Sequence, residues 1–82
     1  MTVTVLYFAA LRDLVGRGDE TLALPPAVTT VAALSRHLCA TIAGLAERMD
    51  HVRIARNEAF AAPEDALHEG DIIALLPPVA GG

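Results

Sequence analysis

The sequence predicts an α+β domain in which a mixed sheet of four or five strands carries one main helix across one face. Three observations lead there. The chain opens on a run of β-branched and aromatic residues, Thr2-Val3-Thr4-Val5-Leu6-Tyr7-Phe8, of the kind that suits a pleated, half-buried surface. A stripe of apolar residues at helical spacing follows from Val31 onward. Near the end stands a second apolar run, Ile72-Ile73-Ala74-Leu75-Leu76, directly before Pro77-Pro78.

In the first strand Val3, Val5 and Tyr7 share one face and Leu6 and Phe8 the other, so its end is apolar on both sides. Residues Ala9 to Val15 favour a short helix closed by a left-handed cap at Gly16. Glu20 to Leu24 is a second strand, stopped by Pro25-Pro26 and paired with the first. Thr30 is placed to cap the main helix through its hydroxyl. Val31, Leu34, Leu38, Ile42 and Leu45 form that helix's buried stripe, with Arg36 and Ala40 opposite, Cys39 on the flank, and Gly44 as the point of closure or bending. His51 to Arg56 alternates as a half-buried strand, Asn57-Glu58 is the turn, and Ala59 to Ala61 a very short strand. Pro63 to Glu69 reads as a loop with one helical turn around Ala66 and Leu67, and Gly70-Asp71 as a tight turn into the last strand.

If the first and last strands are neighbours at the centre, they run parallel, which is the β-grasp arrangement. Residues 1–76 are then the body and residues 77–82, Pro-Pro-Val-Ala-Gly-Gly, an extended tail. Proline donates no backbone hydrogen bond, so sheet pairing should stop at Pro77. Six extended residues reach about 20 Å, and Gly81 and Gly82, without Cβ, can thread a channel too narrow for side chains. The reactive group so displayed is the α-carboxylate of Gly82.

Six arginines and no lysine stand against ten acidic residues, a formal charge of −4. Nucleic acid is not an expected partner of such a surface, and without an ε-amine the chain cannot be joined to itself through lysine. No apolar run is long enough for a membrane span, and Met1 leads into a strand pattern where a secretory leader would be basic and then apolar. One cysteine, Cys39, cannot form an internal disulfide. The expected location is cytoplasmic. His37, His51 and His68 fall on three separate elements without ligand spacing, so no metal site is expected. The carboxylates of Glu64, Asp65, Glu69 and Asp71 are expected as a solvated acidic rim.

Strand parity supplies a candidate contact surface. Leu6 and Phe8 point away from the helix, as do Ala74 and Leu76, and with Phe60 they would form an exposed apolar patch at the root of the tail.

Val5-Leu6-Tyr7-Phe8-Ala9 with Leu11-Arg12 and Leu14-Val15-Gly16, then Asn57-Glu58, Leu67-His68-Glu69-Gly70-Asp71 and above all Leu76-Pro77-Pro78-Val79-Ala80-Gly81-Gly82 resemble the small, sulfur-carrying subunit of molybdopterin synthase. The resemblance spans nearly the whole chain and implies a ubiquitin-like β-grasp protein. It implies that an ATP-dependent adenylyltransferase activates the Gly82 carboxylate. A sulfur donor protein then converts it to a thiocarboxylate, and the sulfur passes to cyclic pyranopterin monophosphate in complex with the large catalytic subunit, in a heterotetramer. On that reading the chain binds no cofactor, carries sulfur covalently on Gly82, and meets its partner through Leu6, Phe8, Phe60, Leu76, Pro77, Pro78, Val79 and Ala80. The residue before Pro77 is Leu76 where the family commonly has an aromatic, so packing there is expected to differ. Two further readings stay open: a sulfur carrier for thiamine or cysteine biosynthesis, and a non-covalent β-grasp binding module.

Overall fold

A computed structural model describes residues 1–78. Among them five strands form one mixed sheet: β1 (Thr2–Tyr7), β2 (Asp19–Ala23), β3 (Arg53–Arg56), β4 (Ala59–Phe60) and β5 (Ile72–Leu76). Their order is β2-β1-β5-β3-β4. β1 and β5 are parallel and central, with Val5 beside Ile73 and Tyr7 beside Leu75, as the β-grasp reading requires. β1 pairs antiparallel with β2, and β5 antiparallel with β3.

Two helices complete the domain, α1 (Ala9–Val15) and α2 (Val31–Thr41). Strand parity decides what is buried. Val3, Val5 and Tyr7 from β1 and Ile73 and Leu75 from β5 share one core with Val31, Leu34 and Leu38 of α2, joined by Leu11 and Leu45. α1 ends as its sequence predicts: Gly16 takes φ 88° and its N–H donates to the Arg12 carbonyl, a conformation that glycine adopts without a Cβ penalty.

The first turn of α2 leaves three N–H groups that the helix itself cannot satisfy. The Thr30 hydroxyl accepts from Ala33 N–H at 3.2 Å, and the carbonyls of Asp65 and Pro63 accept from Val31 and Ala32. The loop that supplies those carbonyls contains Ala66 in a bridge with Thr30. A helical turn at Ala66 and Leu67 is therefore replaced by extended backbone, because the carbonyls are needed at the α2 terminus.

The stripe also ends earlier than its periodicity suggests. Ile42 is the C-cap, extended at φ −113°, and Leu45 enters the core from the following turn, where Gly44 has φ +85°. A 3₁₀ turn at Met49–His51 takes the first residue of the predicted third strand, which begins at Arg53. No helix among the described residues is long and apolar enough to cross a membrane.

Candidate functional site: the outer sheet face and the root of the tail

The sheet face turned away from α2 is built in rows fixed by register. One row runs across all five strands: Asp19, Leu6, Ala74, Ala55 and Phe60. A second pairs Thr21, Thr4 and Ile72. The third, nearest the tail, sets Arg53 opposite Leu76, and strand parity carries Phe8 to the same side of β1.

Between the charged and hydroxyl residues at its margins this face is apolar. Phe60 is 62% exposed, Ile72 48% and Phe8 43%, and together with Leu6, Ala55, Ala74 and Leu76 they line a shallow hollow of about 650 Å³. No loop among the described residues covers it. Three large exposed apolar side chains on one face of so small a domain are what a protein contact surface looks like.

The four body residues singled out from sequence, Leu6, Phe8, Phe60 and Leu76, are thus brought together. Pro77 is half-buried beside them and Pro78 exposed. Pairing of β5 stops at Leu76, one residue before the first proline. Val79, Ala80, Gly81 and Gly82 lie outside the described residues. Ile72 and Ala55 belong to the patch and are absent from the sequence reading. Ile72 has the parity of Ala74 and Leu76 and could have been found that way. Ala55 needs the β3–β5 register.

Two polar networks fix the sheet around this face. At the tail end, the Tyr7 hydroxyl donates to Glu20 Oε2 at 2.6 Å, and Arg17 lies 3.8 Å from the other oxygen. Burial, then the hydrogen bond and charge of Glu20, push the Tyr7 phenol well above its usual range. At the opposite end, Asp71 is only 6% exposed and accepts from His68 N–H at 2.8 Å and from Asn57 Nδ2 at 2.9 Å. Asn57 Oδ1 in turn accepts from Ile72 N–H, which ties the β3–β4 turn to the start of β5. Burial pushes the Asp71 carboxyl up, but Asn57, the His68 N–H and the positive charge of Arg56 and His68 outweigh it, and the net shift is downward.

The acidic rim is accordingly corrected at Asp71 and in part at Asp65. Asp71 faces inward, Asp65 accepts from Ala62 N–H, and Glu69 accepts from Thr2 N–H. Asp65 and Asp71 are short enough to accept from local backbone donors and so turn from solvent, while Glu64 and Glu69 are exposed as expected.

The sequence from residue 5 to residue 82 matches the model of a protein family described as the ThiS family. The chain belongs to the ThiS family. Among similar ThiS-like proteins is the "Molybdopterin synthase sulfur carrier subunit" of Chlamydomonas reinhardtii, 34% identical over 84 residues and covering 100% of both chains. Among solved structures, SAMP1 from Haloferax volcanii is 28% identical with a TM-score of 0.87, over 100% of both chains. A protein-protein complex of subunits 1 and 2 of molybdopterin-converting factor from Helicobacter pylori 26695 contains a chain 28% identical, with a TM-score of 0.72 and again 100% of both chains covered. This ThiS-family member therefore has the ubiquitin-like β-grasp fold.

Proposed function

We propose that the chain is the sulfur carrier of a molybdopterin synthase: a body that docks through its outer sheet face and presents the Gly82 carboxylate to successive partners. The observation that carries this is the apolar face at the root of Pro77-Pro78, formed by Leu6, Phe8, Ile72 and Leu76, in a chain whose full-length relatives bear that name. The Helicobacter pylori complex of two subunits supports a large synthase subunit as the occupant of the face.

The chemistry follows from what a carboxylate lacks. It is a poor acyl donor at neutral pH. Attack on the α-phosphorus of ATP, with pyrophosphate leaving, makes a mixed anhydride with AMP that a sulfur nucleophile can open. The adenylyltransferase holds the ATP; the terminal sulfur of a donor persulfide displaces AMP to give an acyl disulfide, and a second thiol attacks the donor-side sulfur, forming a disulfide with the donor and releasing the thiocarboxylate at Gly82. Docking on the large subunit then makes the sulfur's attack on the pterin precursor effectively intramolecular. The body contributes position, and the large subunit contributes the substrate pocket and the acid-base groups. With no lysine in the chain, no ε-amine of its own competes for the activated end.

Intact mass tests the proposal. Incubated with ATP, the adenylyltransferase and a sulfur donor, the chain should gain about 16 Da, sulfur for oxygen, confined to Gly82. If no mass change appears with any activating partner, the carrier reading fails and a non-covalent binding module takes its place.

A further inference from the structure

The docking face has one positive corner, and it lies at the root of the tail. Of the two arginines in strands, Arg56 has the opposite parity and donates to the Ala66 carbonyl at 2.6 Å. Arg53 has outer-face parity, opposite Leu76, at the margin of the apolar hollow and shared with the neighbouring one that Arg36 and Asp50 line, with its guanidinium carbon 3.8 Å from the centroid of the Phe60 ring. The ring holds the group but takes none of its N–H donors in the plane of the guanidinium. Among the described residues no carboxylate comes within ion-pairing distance of Arg53 and its side chain donates no hydrogen bond. Arg17, by contrast, is beside Glu20.

The charges around the face are otherwise negative: Asp19 shares the row of Leu6 at the β2 margin, and Glu58 lines the hollow at the β3–β4 turn. The chain as a whole has a formal charge of −4. A preorganised cation with open donors, at the edge of an apolar contact surface, is a recurrent form of interface anchor. It also breaks the symmetry of the face, so that a partner with one acidic corner can seat in one orientation only.

We propose that Arg53, held against Phe60 beside Leu76, is the docking cation of this face and takes an acidic side chain of the large synthase subunit next to the point where the tail enters. The proposal rests on the reading of the outer face as the docking surface. Arg53 is given no part in the chemistry at Gly82, which stands six residues beyond Leu76 in the sequence. Its part is to orient the body so that the tail points into the partner.

The test measures binding of the full-length chain to the purified large subunit by titration calorimetry at about 50 mM and about 300 mM salt. Arg53→Met keeps an unbranched stem for the Phe60 ring and removes the charge, Arg53→Glu reverses it, and Leu76→Asp puts a carboxylate on the apolar face. Amide spectra of each variant verify the fold. Arg53→Met is expected to weaken binding about tenfold at low salt and Arg53→Glu more, with the salt dependence of the wild-type complex largely lost in Arg53→Met. If Leu76→Asp abolishes binding while both Arg53 variants bind like wild type, Arg53 is only a cover for the ring and the proposal is overturned with the docking face intact. If Arg53→Met and Arg53→Glu weaken binding equally and at both salt concentrations, the contribution is packing and the acidic counterpart is wrong. If Leu76→Asp binds like wild type, the docking face itself is misplaced.

Discussion

Replacing Asp71 with alanine removes the acceptor that joins the loop before β5 to the β3–β4 turn. The His68 N–H at 2.8 Å and Asn57 Nδ2 at 2.9 Å both lose a charged partner. An unsatisfied donor costs about 1–3 kcal/mol when buried. His68 and Asn57 are themselves exposed, so water recovers part of the loss, and the two together should cost about 2–3 kcal/mol. A domain of this size is stable by roughly 4–12 kcal/mol, which makes that a large fraction. Since about 1 kcal/mol corresponds to 4–8 °C for a domain of 60–100 residues, Tm should fall by roughly 10–20 °C at neutral pH.

The same residue predicts a pH dependence. The Asp71 carboxyl is held below its ordinary range in the folded state, so the folded chain binds the proton less readily than the unfolded one. Its stabilisation is complete above the ordinary carboxylate range and is lost as pH falls through the depressed folded value. Thermal melts of wild type and Asp71→Ala, followed by circular dichroism from about pH 7 to about pH 2, should therefore converge in acid. A Tm within about 2 °C of wild type at neutral pH, or a gap that stays constant into acid, would refute the account of Asp71 as a lock.

Leu76→Asp puts a carboxylate on the outer face at the root of the tail, where docking would desolvate it; association with the large subunit in a pull-down should be lost while the melt changes little, because Leu76 faces away from the core. Tyr7→Phe deletes the hydroxyl that donates to Glu20 and should cost about 1–2 kcal/mol in a denaturant titration at neutral pH. Because the folded Tyr7 phenol titrates above its usual range, wild-type stability is intact below pH of about 10 and declines as pH rises above it. The Tyr7→Phe chain lacks that decline, so the two curves approach each other in alkali. Tyr7 is the one tyrosine in the sequence, and its ionisation can be followed directly by ultraviolet absorbance, where a midpoint at the ordinary value would count against the burial and Glu20 effects.

What could be read from the sequence is what periodicity encodes. Val3, Val5 and Tyr7 alternate without ambiguity, Gly16 and Thr30 are strong local signals, and Pro77 marks the end of β5 as a matter of covalent chemistry. The positions that eluded the reading depend on partners distant in sequence. Ile42 fits the helical stripe, yet the chain turns there because Leu45 reaches the core by another route through Gly44. Asp71 looks like a surface carboxylate until the Asn57 turn, fourteen residues away, is known to fold over it. The alternation of His51 to Arg56 places Arg53 in a strand but does not give its neighbours. Its place beside Leu76 and against Phe60 follows only from the β3–β5 and β3–β4 registers, which periodicity does not determine.

The parallel pairing of β1 with β5 has a consequence for how the chain is made. The strand synthesised first has its central neighbour synthesised nearly last, and until that segment is translated β1 has only β2 beside it and the outer face lacks Ile72, Ala74 and Leu76. A nascent chain that lacks this segment therefore presents only part of the outer face. On the proposed reading, the docking face is completed only when the segment that leads into the tail arrives.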